Sequence, residues 1–297
     1  MINRVTHLTV QRSTLANLQV NLTKMSDLQG RLSGGKVITK PSDDPAGTAS
    51  VLSLRADKRA NEQYSRNAAD GVGWLSTVDT ALQNAAANVR QARDLTVKGA
   101  NTGAASQATR DAIATELRGV RDAMLDQANA TYLGRSVFAG TANGPAYDAT
   151  TYDWANASRP TDEVLRRVGP STQIRADADG SKAFGSGTTS VFALIDKIAS
   201  DIQNGTGDVS ARIGELDMAL NAVLGELAGV GTRYKQLTTA QSTIESAVTD
   251  LKGQISDIED IDLAETLIEL QSQEVAYQAA LGATSRVLQP SLLDFLR

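Results

Sequence analysis

The sequence predicts a mainly α-helical protein: an elongated antiparallel helical bundle or coiled coil formed by both chain ends, with a small β-rich central insert. Three observations carry this expectation. Both ends place apolar residues at alternating three- and four-residue spacings, which is how a helix builds a seam. The stretch from Gly140 to Gly187 collects turn residues and interrupts that periodicity. Of the 297 residues, 41% are hydrophobic but only 4% aromatic, a balance that suits long helices better than a compact aromatic core.

The first seam consists of Leu8, Leu15, Leu18, Leu22, Met25 and Leu32. Gly34 and Gly35 end it, because paired glycines are poor helix interior and good C-terminal caps. Pro41 and Pro45 then bracket an extended or turn segment, in which Asp43 and Asp44 read as turn carboxylates and Ser42 or Asp43 as the cap of the next helix. Helical patterning resumes at about Ala46. Leu75, Val78, Leu82, Val89 and Thr96 carry the next seam, and Gly99 to Gly103 breaks it. Ile113, Leu117, Val120 and Met124 carry a third, running to about Thr131. Two long antiparallel helices joined through Asn101–Ser106 follow from this pattern.

In the turn-rich region, Glu163–Val168 and Thr172–Ala176 are short β-like runs around Gly169-Pro170-Ser171, which predicts a hairpin. Helices return with Val191, Leu194, Ile195, Ile198 and Ile202, then with Ile213, Leu216, Leu220, Val223 and Leu227. The last seam runs Leu237, Ile244, Val248, Leu251, Ile255, Ile258. It slips by one residue at Asp257–Asp262 and continues as Leu263, Leu267, Leu270, Tyr277, Leu281 and Leu288. Such a slip marks a joint between two coiled-coil segments. The expected division is a terminal coiled coil of residues 1–40 with 257–297, a helical body of 41–139 with 188–256, and the insert at 140–187. Neither terminal stripe has a companion in its own half of the chain, so the two ends are expected to pair with each other.

Composition and motifs exclude several classes of function. The net charge is -5 with the signs interleaved, which leaves no basic stripe for nucleic acid and no polybasic membrane anchor. There is no cysteine and one histidine, His7, so thiol chemistry and shared His/Cys metal sites are absent from the expectation. No window approaches the roughly 18 apolar residues of a membrane span. The N-terminal thirty residues do not read as a cleaved signal peptide. Gly30–Val37 nearly matches the phosphate-cradling pattern G-x-x-x-x-G-K-[ST], but Val37 offers no oxygen for magnesium and the motif follows a helix, not a strand. Adjacent Asp43 and Asp44 have no base or electrophile near them in sequence. Asp177–Gly180 lacks the third acidic ligand and the distal Glu of a calcium loop. No catalytic, cofactor or metal residue is therefore assigned, and no enzymatic activity is expected.

Four stretches give the sequence a family resemblance. Leu32–Ala49 (LSGGKVITKPSDDPAGTA) resembles the N-terminal hallmark of the bacterial flagellin family. Arg90–Asn101, Arg110–Gly140 and Ile258–Leu288 resemble further family segments in the family's order. Pro41 in KPSDDP, Glu62–Leu75 and the ending Pro290–Arg297 are similar to the branch at the junction between hook and filament. A filament flagellin would more usually read SSGLRIN where this chain has Ser33–Thr39.

The resemblance implies a structural subunit that is exported unfolded without cleavage to the extracellular flagellum. It implies that this subunit assembles with copies of itself as an adaptor ring. Its neighbours would be another hook-associated protein on the hook side and flagellin on the filament side, and a cytoplasmic export chaperone would shield the C-terminal seam. Membrane insertion and nucleic-acid binding are not implied. A short filament-forming flagellin is the nearest alternative. A cytoplasmic helical signalling or binding protein, which the seams alone would permit, is more remote.

Overall fold

The computed structural model of the chain describes residues 7–101, 106–157, 163–206 and 208–287. In chain order the elements are α1 (His7–Gly34), α2 (Pro45–Ala100), α3 (Gln107–Ala128), β1 (Thr131–Tyr132), β2 (Arg135–Ser136), β3 (Leu165–Arg167), β4 (Gln173–Arg175), α4 (Gly180–Phe184), α5 (Val191–Asn204), α6 (Val209–Glu259) and α7 (Leu263–Val287). The fold is mainly helical, and the strands form two antiparallel two-stranded sheets, β1–β2 and β3–β4. The chain divides into two compact units, Met1–Arg59 with Thr249–Arg297, and Ala60–Val248.

The larger unit holds the hydrophobic core. On α2, the seam residues Leu75, Val78, Leu82 and Val89 are all fully enclosed. Thr96 is equally enclosed, and its hydroxyl donates to the Ala92 carbonyl at 2.7 Å. That local bond satisfies the hydroxyl and lets a threonine occupy a core position. On α6 the enclosed row is Leu216, Val223, Val230, Leu237 and Ile244, a strict seven-residue repeat. Gly71 and Gly99 permit close helix approach: a Cβ at Gly71 would lie 2.8 Å from Leu237 Cδ1, and one at Gly99 would lie 2.3 Å from Ile202 Cδ1. Ser106 caps α3 through Thr109 N, and Ser190 caps α5 through Ala193 N.

The insert is built on few but concentrated aromatics. Phe138, Tyr147, Phe184 and Phe192 meet in mostly edge-to-face contacts, with ring centroids 5.2–5.9 Å apart. Tyr147 donates its hydroxyl to the Gly185 carbonyl at 2.9 Å, and burial pushes its phenol pKa up. Trp154 donates its indole N–H to Phe138 O at 2.8 Å. The β3–β4 hairpin forms around Gly169-Pro170-Ser171 as its sequence predicts.

That hairpin docks on α2. Arg166 Nε donates to Asp70 Oδ2 at 2.6 Å, Asn67 donates to the Arg167 carbonyl at 2.8 Å, and the Arg166 guanidinium lies 5.5 Å from the Trp74 ring centroid. Asp179, in the segment compared with a calcium loop, instead caps α4 by accepting from Ser181 N and Lys182 N. Asp177 is buried against Arg175 Nε at 2.7 Å, and desolvation raises its pKa despite that partner.

One local expectation changes. The third helix stops at Ala128 instead of running to about Thr131, and a hairpin with Leu133 and Gly134 at positive φ follows it. Asn129 is the cause. Its side chain accepts from Tyr147 N at 2.9 Å and donates to Tyr147 O at 3.2 Å, drawing the chain into the insert.

Candidate assembly interface

In the smaller unit α1 and α7 pack against each other in antiparallel sense. Lys36 lies opposite Asp260 across an antiparallel bridge, and farther along the pair Gln273 Nε2 donates to the Asn21 carbonyl at 3.2 Å. The half-buried positions on α1 are Thr14, Leu18, Asn21, Met25, Leu28, Arg31 and Leu32. On α7 Leu270, Gln273, Tyr277 and Ala280 are half-buried, and Thr266 and Thr284 are buried. Arg31 apart, both sets alternate four- and three-residue steps, so the pair is a short heptad seam.

The structure thus distributes the sequence-predicted seam over more than one face. Leu18, Met25, Leu32, Leu270 and Tyr277 occupy the pairing face. Leu15, Leu22, Leu263, Leu267 and Leu281 are exposed. Leu8 belongs to α1 but its side chain lies outside the described residues, as does the whole of Leu288. A reading that followed leucines missed Thr14, Asn21, Thr266, Gln273 and Thr284. The signal was the strict alternation of steps, which holds whether or not each position is apolar. Polar residues at such positions lower the stability of a pair while fixing its register.

The joint beside this seam is built from the predicted turn residues. α1 ends at Gly34, and Gly35 has φ 68°, with its N–H donating to the Arg31 carbonyl at 2.7 Å. A left-handed residue at this position closes the helix, which favours glycine. The following backbone pairs with the break between α6 and α7. Val37 N donates to Glu259 O at 2.7 Å, and Ile261 N donates to Gly35 O at 3.2 Å.

Lys36, the would-be phosphate lysine, donates to Glu259 Oε1 at 2.6 Å. Arg55 donates to both Glu259 oxygens, at 2.7 and 2.6 Å. These bonds, Lys36 first, hold the largely buried Glu259 carboxyl below the ordinary glutamate range. No sequence motif marked Glu259, because its partners lie 223 and 204 residues away.

Asp43 Oδ2 accepts from the Thr39 hydroxyl at 2.8 Å and from the amides of Lys40 and Thr39 at 2.9 and 3.1 Å, which lowers its pKa. The cap of α2 falls to Asp44, not Ser42 or Asp43: Asp44 Oδ1 accepts from Ala46 N and Gly47 N, with Pro45 as the first helical residue. Pro41 lines a small hollow with Ile38, Val51 and Leu52. At the other side of the joint Asp262 caps α7 through Ala264 N and Glu265 N.

Several large apolar side chains remain open on this unit. Leu15 is 58% exposed, Ile268 67% and Val275 66%, with Val20, Leu22, Leu267 and Leu281 also uncovered. Apolar rows of this kind on a paired helix suit contact with further protein. No helix among the described residues is long and apolar enough to cross a membrane.

Residues 5–143 match the bacterial flagellin N-terminal helical region, and residues 213–296 match the bacterial flagellin C-terminal helical region. The chain belongs to the bacterial flagellin family. The matched regions include both α1 and α7. Among flagellin relatives, the flagellin of Bacillus subtilis is 25% identical over 309 aligned residues, covering 99% of this chain and 100% of that protein. The flagellar hook-associated protein 3 of Salmonella typhimurium is 24% identical, covering 90% of each chain. Among solved structures, a protein described as flagellar hook-associated from Vibrio parahaemolyticus shares the fold with a TM-score of 0.66 at 22% identity, over 73% of this chain and 100% of that one. Flagellar hook-associated protein 3 of Legionella pneumophila does so with a TM-score of 0.60 at 12% identity, over 70% and 98%.

Proposed function

We propose that this flagellin-family protein is the structural subunit that joins hook to filament, forming an adaptor ring on which flagellin assembles. The observation that carries an assembling role is the terminal unit: its helices satisfy one face in each other and leave apolar rows on their outer faces. The seam residues Leu8, Leu15, Leu18, Leu22, Met25 and Leu32 then act with Leu263, Leu267, Leu270, Tyr277, Leu281 and Leu288, some within the subunit and some between subunits. Gly34, Gly35, Pro41, Asp43, Asp44 and Pro45 set the bend beside them. The junction position is supported by hook-associated protein 3 relatives and by the KPSDDP wording of the connector. A filament-forming role is the second reading, favoured by the end-to-end alignment with Bacillus subtilis flagellin.

In this role the subunit is exported to the extracellular flagellum without signal-peptide cleavage. It contacts another hook-associated protein on one side and flagellin on the other. A cytoplasmic chaperone covers the C-terminal seam beforehand, as an apolar stripe of that length requires. The role is structural, not enzymatic. The deciding experiment seeds purified protein onto isolated hooks. A short zone that then accepts flagellin is expected, whereas growth into long filaments sinks the junction reading in favour of the filament one.

A further inference from the structure

Asparagine or aspartate followed by glycine is prone to attack by its own backbone, because glycine puts no side chain in the way of its amide nitrogen and leaves the backbone free to turn. The sequence holds four such pairs, Asp70-Gly71, Asn143-Gly144, Asp179-Gly180 and Asn204-Gly205. The fold locks all but one. Asp70 lies inside α2 with its carboxylate held by Arg166 Nε at 2.6 Å. Asp179 Oδ1 accepts from the Ser181 and Lys182 amides, and a Cβ at Gly180 would meet Trp154. Asn204 is the last residue of α5, and Gly205 N donates back to the Asp201 and Ile202 carbonyls. A helical ψ turns the next nitrogen away from the side chain, and an amide engaged as a donor must break its bonds before it can attack.

Asn143-Gly144 is the exception. Both residues are exposed, and among the described residues neither the Asn143 side chain nor the Gly144 N–H has a hydrogen-bond partner. Gly144 has φ 93°, and nothing lies within 4 Å of the place a Cβ would take. The segment is tethered at both ends. Ala142 N donates to Ala139 O at 3.0 Å before it, and Tyr147 N donates to Asn129 Oδ1 at 2.9 Å after it.

We propose that Asn143 is a site of spontaneous deamidation, in which the Gly144 amide nitrogen attacks the Asn143 side-chain carbonyl carbon. The N–Cγ bond forms, the Cγ–Nδ2 bond breaks, and ammonia leaves with the amide proton. Water then opens the cyclic imide at either carbonyl, giving aspartate or isoaspartate. Asparagine and water become acid and ammonia, with nothing oxidised or reduced. Either product adds a negative charge to the insert, and isoaspartate also adds a methylene to the backbone between the two tethers. The reaction uses no enzyme, so its extent counts the time since the chain was made. Nothing in this chemistry depends on the assembling role.

The test incubates the purified full chain in mildly alkaline heavy-oxygen water and maps its peptides by mass spectrometry. The label separates conversion during incubation from conversion during digestion. In the folded chain Asn143 should convert at least about tenfold faster than Asn204, whose reaction waits on local unfolding. Urea should bring the two rates together, since both asparagines precede glycine. Asn143→Gln should abolish labelled conversion in its own peptide and leave that of Asn204 unchanged. The proposal is overturned if Asn204 matches or outruns Asn143 in the folded chain, if Asn143 stays intact while the urea-unfolded chain converts, or if the difference in rates survives in urea.

Discussion

At the scale of single residues, Glu259 ties the two sides of the joint in the terminal unit together. Three charge-assisted contacts converge on it within 2.7 Å. Its partners Lys36 and Arg55 are about two-fifths exposed, so solvent screens much of that gain. Glu259→Gln keeps the shape and removes the charge, and it should cost about 1 kcal/mol, less than fully buried charged bonds would suggest. The pH dependence has a defined sign. A carboxyl whose folded pKa is depressed contributes its full stability above the unfolded value and loses it as pH falls through the folded one. The window therefore lies below the ordinary glutamate value of 4.5. Wild-type and Glu259→Gln stabilities should differ at pH 7 and converge in acid. A carboxyl NMR titration placing Glu259 at or above the ordinary value would refute the clamp.

At the scale of elements, glycine separates helices that need close approach from those that do not. Gly30 in α1 has nothing within 4 Å of the position a Cβ would take, whereas Gly99 in α2 has Ile202 at 2.3 Å. Gly30→Ala should therefore stabilise by roughly 0.5–1 kcal/mol through helix propensity alone. Gly99→Ala gains the same propensity but overpacks a buried contact at about 1–3 kcal/mol, so the net change should be destabilising. Urea unfolding of the two variants beside wild type measures both signs. Helix periodicity was legible in the sequence wherever one face is apolar: Leu75 to Val89, Leu117 to Met124 and Val191 to Ile202 all point into the core. The hairpin at Thr131–Ser136 was not legible, because the pairing of Asn129 with Tyr147 that ends α3 crosses 18 residues. The terminal seam was legible in position but not in face. Leu15 and Leu18 look equivalent in sequence, and only the partner helix decides which one turns inward.

At the scale of the whole molecule, the larger unit owns its core. The contiguous hydrophobic core drawn from α2, α3, α5, the insert and α6 falls between Ala60 and Val248. A fragment of residues 60–248 should unfold cooperatively in urea with far-UV signal and insert aromatics lost together; a broad, non-cooperative loss would show that the termini are needed for its folding. The terminal unit is different in kind, because α1 and α7 pair one another from opposite ends of the chain. Its clamp spans 223 residues, so the loop it closes cannot form until nearly all of the chain is present, and contacts of such separation close late. Timing follows from this. While the last helix is being made, the first has no mate within the chain. The fold finishes where the chain begins, and its final step waits on the last part to arrive.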